Sequence, residues 1–192
     1  MKSSAFSLFL QRMEDHGFQS QSFRLFRDFD ESLEPLGAEE ANSKAAFEIV
    51  KLYLDPIVDN IHPLMSEVFS FIPVDEPLLE TAFREELFKV KSIGGLQIRV
   101  LSPQSLLATK LNSVISRAQD HKKLKDLADI YSLTWYSGPI ITDMKTDLER
   151  LIPNKKQYQV LRNVKENEYE EVGRVLGVDQ SEVKRVFREL VR

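Results

Sequence analysis

With no cysteine in the chain, the side chains able to carry chemistry are carboxylates, cations and hydroxyls. Thiolate nucleophiles, disulfides and cysteine-ligated zinc or iron–sulfur sites are excluded. The three histidines, His16, His62 and His121, are scattered without metal-ligand spacing and read as surface or turn residues. Gly94-Gly95 is the only adjacent glycine pair and sits between two strand-like runs, so no phosphate-cradling loop is present. What remains are Lys110, Arg117, the Lys125-Asp126-Leu127-Ala128-Asp129 run, the Asp28-Phe29-Asp30 pattern and Asp55. Each has an ordinary structural use. Lys110 can lay its stem over apolar surface, and Asp126 can serve the free amides of a helix start. Lys125 and Asp129 are an i,i+4 pair, and Asp55 before Pro56 is a turn opener.

The elements that would position these groups follow from periodicity. Ser4–Glu14 has apolar residues at Phe6, Phe9, Leu10 and Met13, which predicts an amphipathic helix closed by Gly17. Ser22–Arg27 alternates as a strand, and the acidic stretch 28–43 reads as a loop or frayed helix. Residues 45–61 fit either state, but Pro56 disfavours helix at Asp55 and favours a strand over Phe47–Asp55. Glu76–Glu86 predicts a helix. Phe88–Ile93 and Leu96–Val100 predict a hairpin turning on Gly94-Gly95. Ser102-Pro103 opens a helix running to about Arg117, and Lys122–Trp135 a second. Beyond Gly138-Pro139 the pattern is helical: Thr142–Leu151, Asn154–Arg162, Glu168–Leu176 and Gln180–Val191. The expected organisation is an α+β domain over 1–137 and a helical region over 138–192.

Gly94–Leu111 with Arg117 and Lys125–Leu133 resembles the nucleotidyltransferase family of abortive-infection toxins (AbiEii/AbiGii type). Those proteins share a strand, a helix opening on Ser-Pro with an inward lysine, and a later helix with a basic-Asp-x-x-Asp motif. The resemblance spans residues 74–135, and 45–73 more weakly. It implies a truncated nucleotidyltransferase-like fold, a small mixed sheet with helices followed by the helical C-terminal region. It also implies magnesium and a nucleoside triphosphate, with transfer of a nucleoside monophosphate to an RNA or protein hydroxyl. Lys110 matches the lysine that serves the triphosphate, with Arg117 beside it as a nucleotide contact. Asp126 and Asp129 match the catalytic acidic pair, one member assisting the acceptor hydroxyl or holding the lysine. Asp55 matches a third metal carboxylate. The chain departs from the family in lacking a glycine turn ahead of an Asp-x-Asp. Either Asp28 and Asp30 are the first two metal ligands, or the chain begins after the catalytic strand and transfer is weak or absent. A toxin-like protein implies an antitoxin or other protein partner, and an exposed sheet edge would invite pairing with a second copy.

A different function is legible at the other end. Glu170–Arg188 has helix–turn–helix cadence, with Lys184, Arg185 and Arg188 on the second helix, as a DNA-reading regulator would. Asp179 and Glu182 oppose this, and residues 154–192 hold nine basic and seven acidic side chains, net +2. A helical hairpin packed on the domain is the alternative. The whole chain carries 26 basic and 30 acidic residues, net −4, so no global field favours nucleic acid or anionic membrane. No apolar run is long enough to span a bilayer, and the N-terminus lacks an export signal, so a cytoplasmic location is expected.

Overall fold

The computed structural model of the chain describes residues 5–61, 73–152 and 156–192. The expected helix starts at Ser4 and Asn154, and His62, lie outside them. The fold is α+β. It divides into two compact units, residues 1–77 and 78–192.

In the first unit, α1 (Ala5–Asp15) ends at Gly17, whose φ of 77° lets the Phe18 N–H reach back to the Met13 carbonyl at 2.9 Å. Strands β1 (Gln19–Gln21), β2 (Arg24–Phe29) and β3 (Val50–Leu54) form an antiparallel sheet in that order. Leu10 and Leu25 are buried, with Phe9, Met13, Phe18 and Leu54 packed against them, so α1 and this sheet share a small core. The acidic stretch after β2 carries one short helix, α2 (Ala38–Ser43). The strand favoured before Pro56 is present, though Ala46–Glu48 forms a 3-10 turn. A two-residue parallel pair, β4 (Ile57–Val58) with β5 (Val74–Asp75), follows among the described residues.

The second unit opens with α3 (Leu78–Arg84) and the hairpin β6 (Phe88–Ile93) and β7 (Leu96–Leu101). Gly94 and Gly95 have φ of 56° and 83°, the positive values a two-residue turn of this kind requires. Six helices follow: α4 (Pro103–Ile115), α5 (Asp120–Tyr136), α6 (Ile141–Leu151), α7 (Lys156–Arg162), α8 (Glu166–Leu176) and α9 (Gln180–Val191). The Ser102 hydroxyl accepts the Ser105 N–H at 3.2 Å, so the Ser-Pro start caps α4 as expected. One core unites these helices, with Leu107, Leu111, Leu127, Ile130, Met144, Leu148, Phe187 and Leu190 all buried.

Two features differ from the sequence reading. The expected boundary at 137–138 falls inside the second unit, because the apolar stripes of α4 and α5 are covered by α6 to α9. And the strands among the described residues form three separate small sheets rather than one mixed sheet. Each antiparallel pairing is between strands consecutive in sequence: short turns close β1–β2 and β6–β7 with little loss of chain entropy, while residues 30–49 join β2 to β3.

Candidate functional site

Antiparallel packing of α4 on α5 brings Lys110, Ser113, Arg117, Asp126 and Asp129 together. Leu107, Leu111 and Val114 bury the inner face of α4, and Leu127, Ile130 and Tyr131 that of α5. The polar side chains line the seam beside them. Asp126 lies within the seam, its side chain 3% exposed. Its Oδ1 accepts from Lys110 Nζ at 2.9 Å, and its Oδ2 accepts from Arg117 Nε at 2.6 Å and from Ser113 Oγ at 3.2 Å. Asp129, further out, pairs through Oδ2 with Lys110 Nζ at 2.6 Å.

The electrostatics of this cluster limit what it can do. Burial alone would raise the Asp126 carboxyl, but hydrogen bonds from Arg117 and Lys110, with their charges, outweigh it and hold the group below its ordinary 3.8. For Lys110 burial acts downward, and the bonds to Asp129 and Asp126 prevail, lifting the ammonium above 10.5. Lys110 is therefore a fixed cation, unsuited to act as a base or an amine nucleophile. Two of its three donors are used, and the side chain is 29% exposed, so one donor remains for an anion at the rim. Asp126 has both oxygens occupied by donors and acts as a holder of Lys110 and Arg117.

Ser113 was not singled out by the sequence reading. The available signal was its position one turn beyond Lys110 on the same helix. The i,i+4 pair expected between Lys125 and Asp129 gives way to the Lys110–Asp129 pair, because Lys110 reaches across from α4.

The remaining carboxylates belong to the first unit and are engaged there. Asp28 faces Lys51, its partner in the β2–β3 register, at 3.2 Å. Asp55 receives Arg24 through Nη2 at 3.1 Å, with Nε 3.0 Å from its other oxygen. The Asp30 Oδ1 accepts the N–H groups of Ser32 and Glu34 at 2.8 and 2.9 Å, closing the turn after β2. Magnesium requires several oxygens converging on one point. Among the described residues no three carboxylate or histidine side chains converge so, and Asp28, Asp30 and Asp55 are spent on cations or backbone donors. These residues do not fit a magnesium centre.

The second candidate interface, α8–turn–α9, has helix–turn–helix geometry. Gly177 adopts the left-handed conformation with φ of 69°, and the Asp179 side chain caps α9 by accepting the Ser181 N–H at 2.8 Å. Its basic residues are largely committed, however. Lys184 pairs with Glu166 and lies over the Tyr169 ring. Arg185 pairs with Glu182 and Glu189 and stacks on Trp135 at 4.6 Å. Only Arg188 of the three stands exposed without an ion pair among the described residues. Val183, Val186, Phe187 and Leu190 bury the opposite face, so the hairpin packs on the domain.

His16 and His121 are exposed, as expected of surface residues. No helix among the described residues is long and apolar enough to cross a membrane. Comparison with protein-family models, with curated proteins and with solved structures finds no match.

Proposed function

We propose that the chain is a nucleotidyltransferase-like protein of the abortive-infection toxin type that engages nucleoside triphosphate phosphates through Lys110 and has weak or no transfer of its own. The observation that carries this reading is the α4–α5 cluster. The buried Asp126, which also holds Arg117, and the outer Asp129 together keep Lys110 charged, and two of its three donors are used by them. A lysine so held stabilises phosphate charge without having to be organised when the ligand arrives. The engagement of Asp28, Asp30 and Asp55 by their own neighbours, with no other carboxylate cluster among the described residues, supports weak or absent transfer. Asp129, the more exposed of the helix pair at 37%, is the carboxylate that an acceptor hydroxyl would meet.

The test is incorporation of labelled nucleotide into RNA and into protein in the presence of magnesium, for the native chain and Lys110→Ala. The reading expects at most trace incorporation, reduced further in the variant. Efficient incorporation overturns the weak-activity reading. Incorporation equal in both proteins overturns the role of Lys110.

A further inference from the structure

A cavity among the described residues of the second unit lies away from Lys110. It is a partly open hollow of about 330 Å³ where the C-terminal ends of α6 and α9 meet α7. That volume falls at the lower end of small-molecule sites, which run from about 300 to 1,000 Å³. Ile152 and Leu190, both buried, form an apolar floor, and Tyr158 stands over it. The rim carries Lys145, Arg162 and Arg192 against a single carboxylate, Glu149. None of the three cations forms an ion pair among the described residues, and the polar contact recorded for them is Arg162 Nη2 to the Val191 carbonyl at 3.0 Å. Several other cations of this unit are met by acids, as at Lys123–Glu168, Arg185–Glu182 and Lys110–Asp126. This cavity sets an excess of positive charge over an apolar floor.

We propose that this cavity binds a small organic anion, an aromatic or aliphatic body seated on Ile152, Tyr158 and Leu190 with its phosphate or carboxylate met by Lys145, Arg162 and Arg192. Glu149 disfavours ligands of higher negative charge. The site is distinct from the Lys110 cluster and does not depend on it.

Phenyl phosphate and benzoate are the probes, titrated into the full chain and followed by backbone amide shifts. Saturable binding of either, with shifts confined to α6, α7 and α9, supports the proposal, and the stronger of the two identifies the anion. Lys145→Gln weakens binding about tenfold, and Glu149→Gln tightens it. Lys110→Ala leaves it unchanged. The opposite signs at 145 and 149 distinguish a charge-reading site from a general loss of structure. Glu149 is exposed, so its variant folds even if another does not. The proposal is overturned by no saturation with either probe at millimolar concentration, by shifts centred on α4 and α5, or by Lys145→Gln and Glu149→Gln moving affinity in the same direction.

Discussion

Replacing Asp126 with asparagine keeps the shape of the side chain and removes its charge. In the native protein the carboxylate accepts charge-assisted bonds from Lys110 and Arg117 and a third bond from Ser113. A hydrogen bond to a charged group contributes about 1.5–3 kcal/mol, and breaking a fully buried ion pair costs about 3–5 kcal/mol. Both upper figures must be discounted here. The Lys110 and Arg117 side chains are 29% and 37% exposed, so each recovers part of its hydration, and Lys110 keeps Asp129. The amide retains one acceptor oxygen but turns an NH2 toward a cation. The balance is a loss of about 2–3 kcal/mol. For a cooperative unit of this size that corresponds to a melting temperature lower by about 8–12 °C. The assay is urea and thermal unfolding followed by far-ultraviolet circular dichroism, with Lys110→Met and the double variant completing a cycle. The pH dependence has a definite sign. A carboxyl held below 3.8 contributes its stability in full above that value and loses it as pH falls through the folded-state value. The gap between native and variant protein therefore closes in acid. A cost below about 0.5 kcal/mol at neutral pH, the range of ordinary surface changes, would refute the reasoning.

Three other outcomes follow from named contacts. Gly173→Ala would set a Cβ 2.7 Å from the Val178 carbonyl oxygen, so the usual helix gain of alanine is reversed and denaturant titration shows a loss of about 1–3 kcal/mol. Glu168, only 13% exposed, accepts from Lys123 and from the Lys165 N–H. Burial raises its carboxyl and these bonds prevail, holding it below 4.5, so Glu168→Gln costs about 1–2 kcal/mol at neutral pH and progressively less below 4.5 in the same titration. Because Lys184 and Arg185 are paired within the domain, duplex DNA is not retained by the full chain even at low salt in a gel-shift assay; salt-sensitive retention abolished by deleting residues 168–192 would reverse that conclusion.

The parts of the fold readable from sequence are those set by local rules. Ser102-Pro103 marks the start of α4, Gly94-Gly95 marks the hairpin, and Pro56 breaks the tie in favour of β3. The division between units was not readable, because the apolar stripes of α4 and α5 look the same whether covered by strands or by α6–α9. Partners of charged groups were illegible for a similar reason. Asp28 meets Lys51 only through the antiparallel β2–β3 register, and Asp129 takes Lys110 from another helix over its own neighbour Lys125. The clustering of Lys110, Arg117 and Asp126 rests on α4 and α5 packing face to face, which spacing alone does not establish.

We have proposed that Lys110 is a fixed cation for nucleotide phosphates, in a chain whose described residues form no cluster for magnesium. Calorimetric titration of a nucleoside triphosphate, with and without magnesium, into the native chain and Lys110→Ala addresses it directly. The expected result is binding by the native chain that falls at least tenfold in the variant and gains little from magnesium. Binding equal in the two proteins, no binding at all, or affinity that requires magnesium would contradict it.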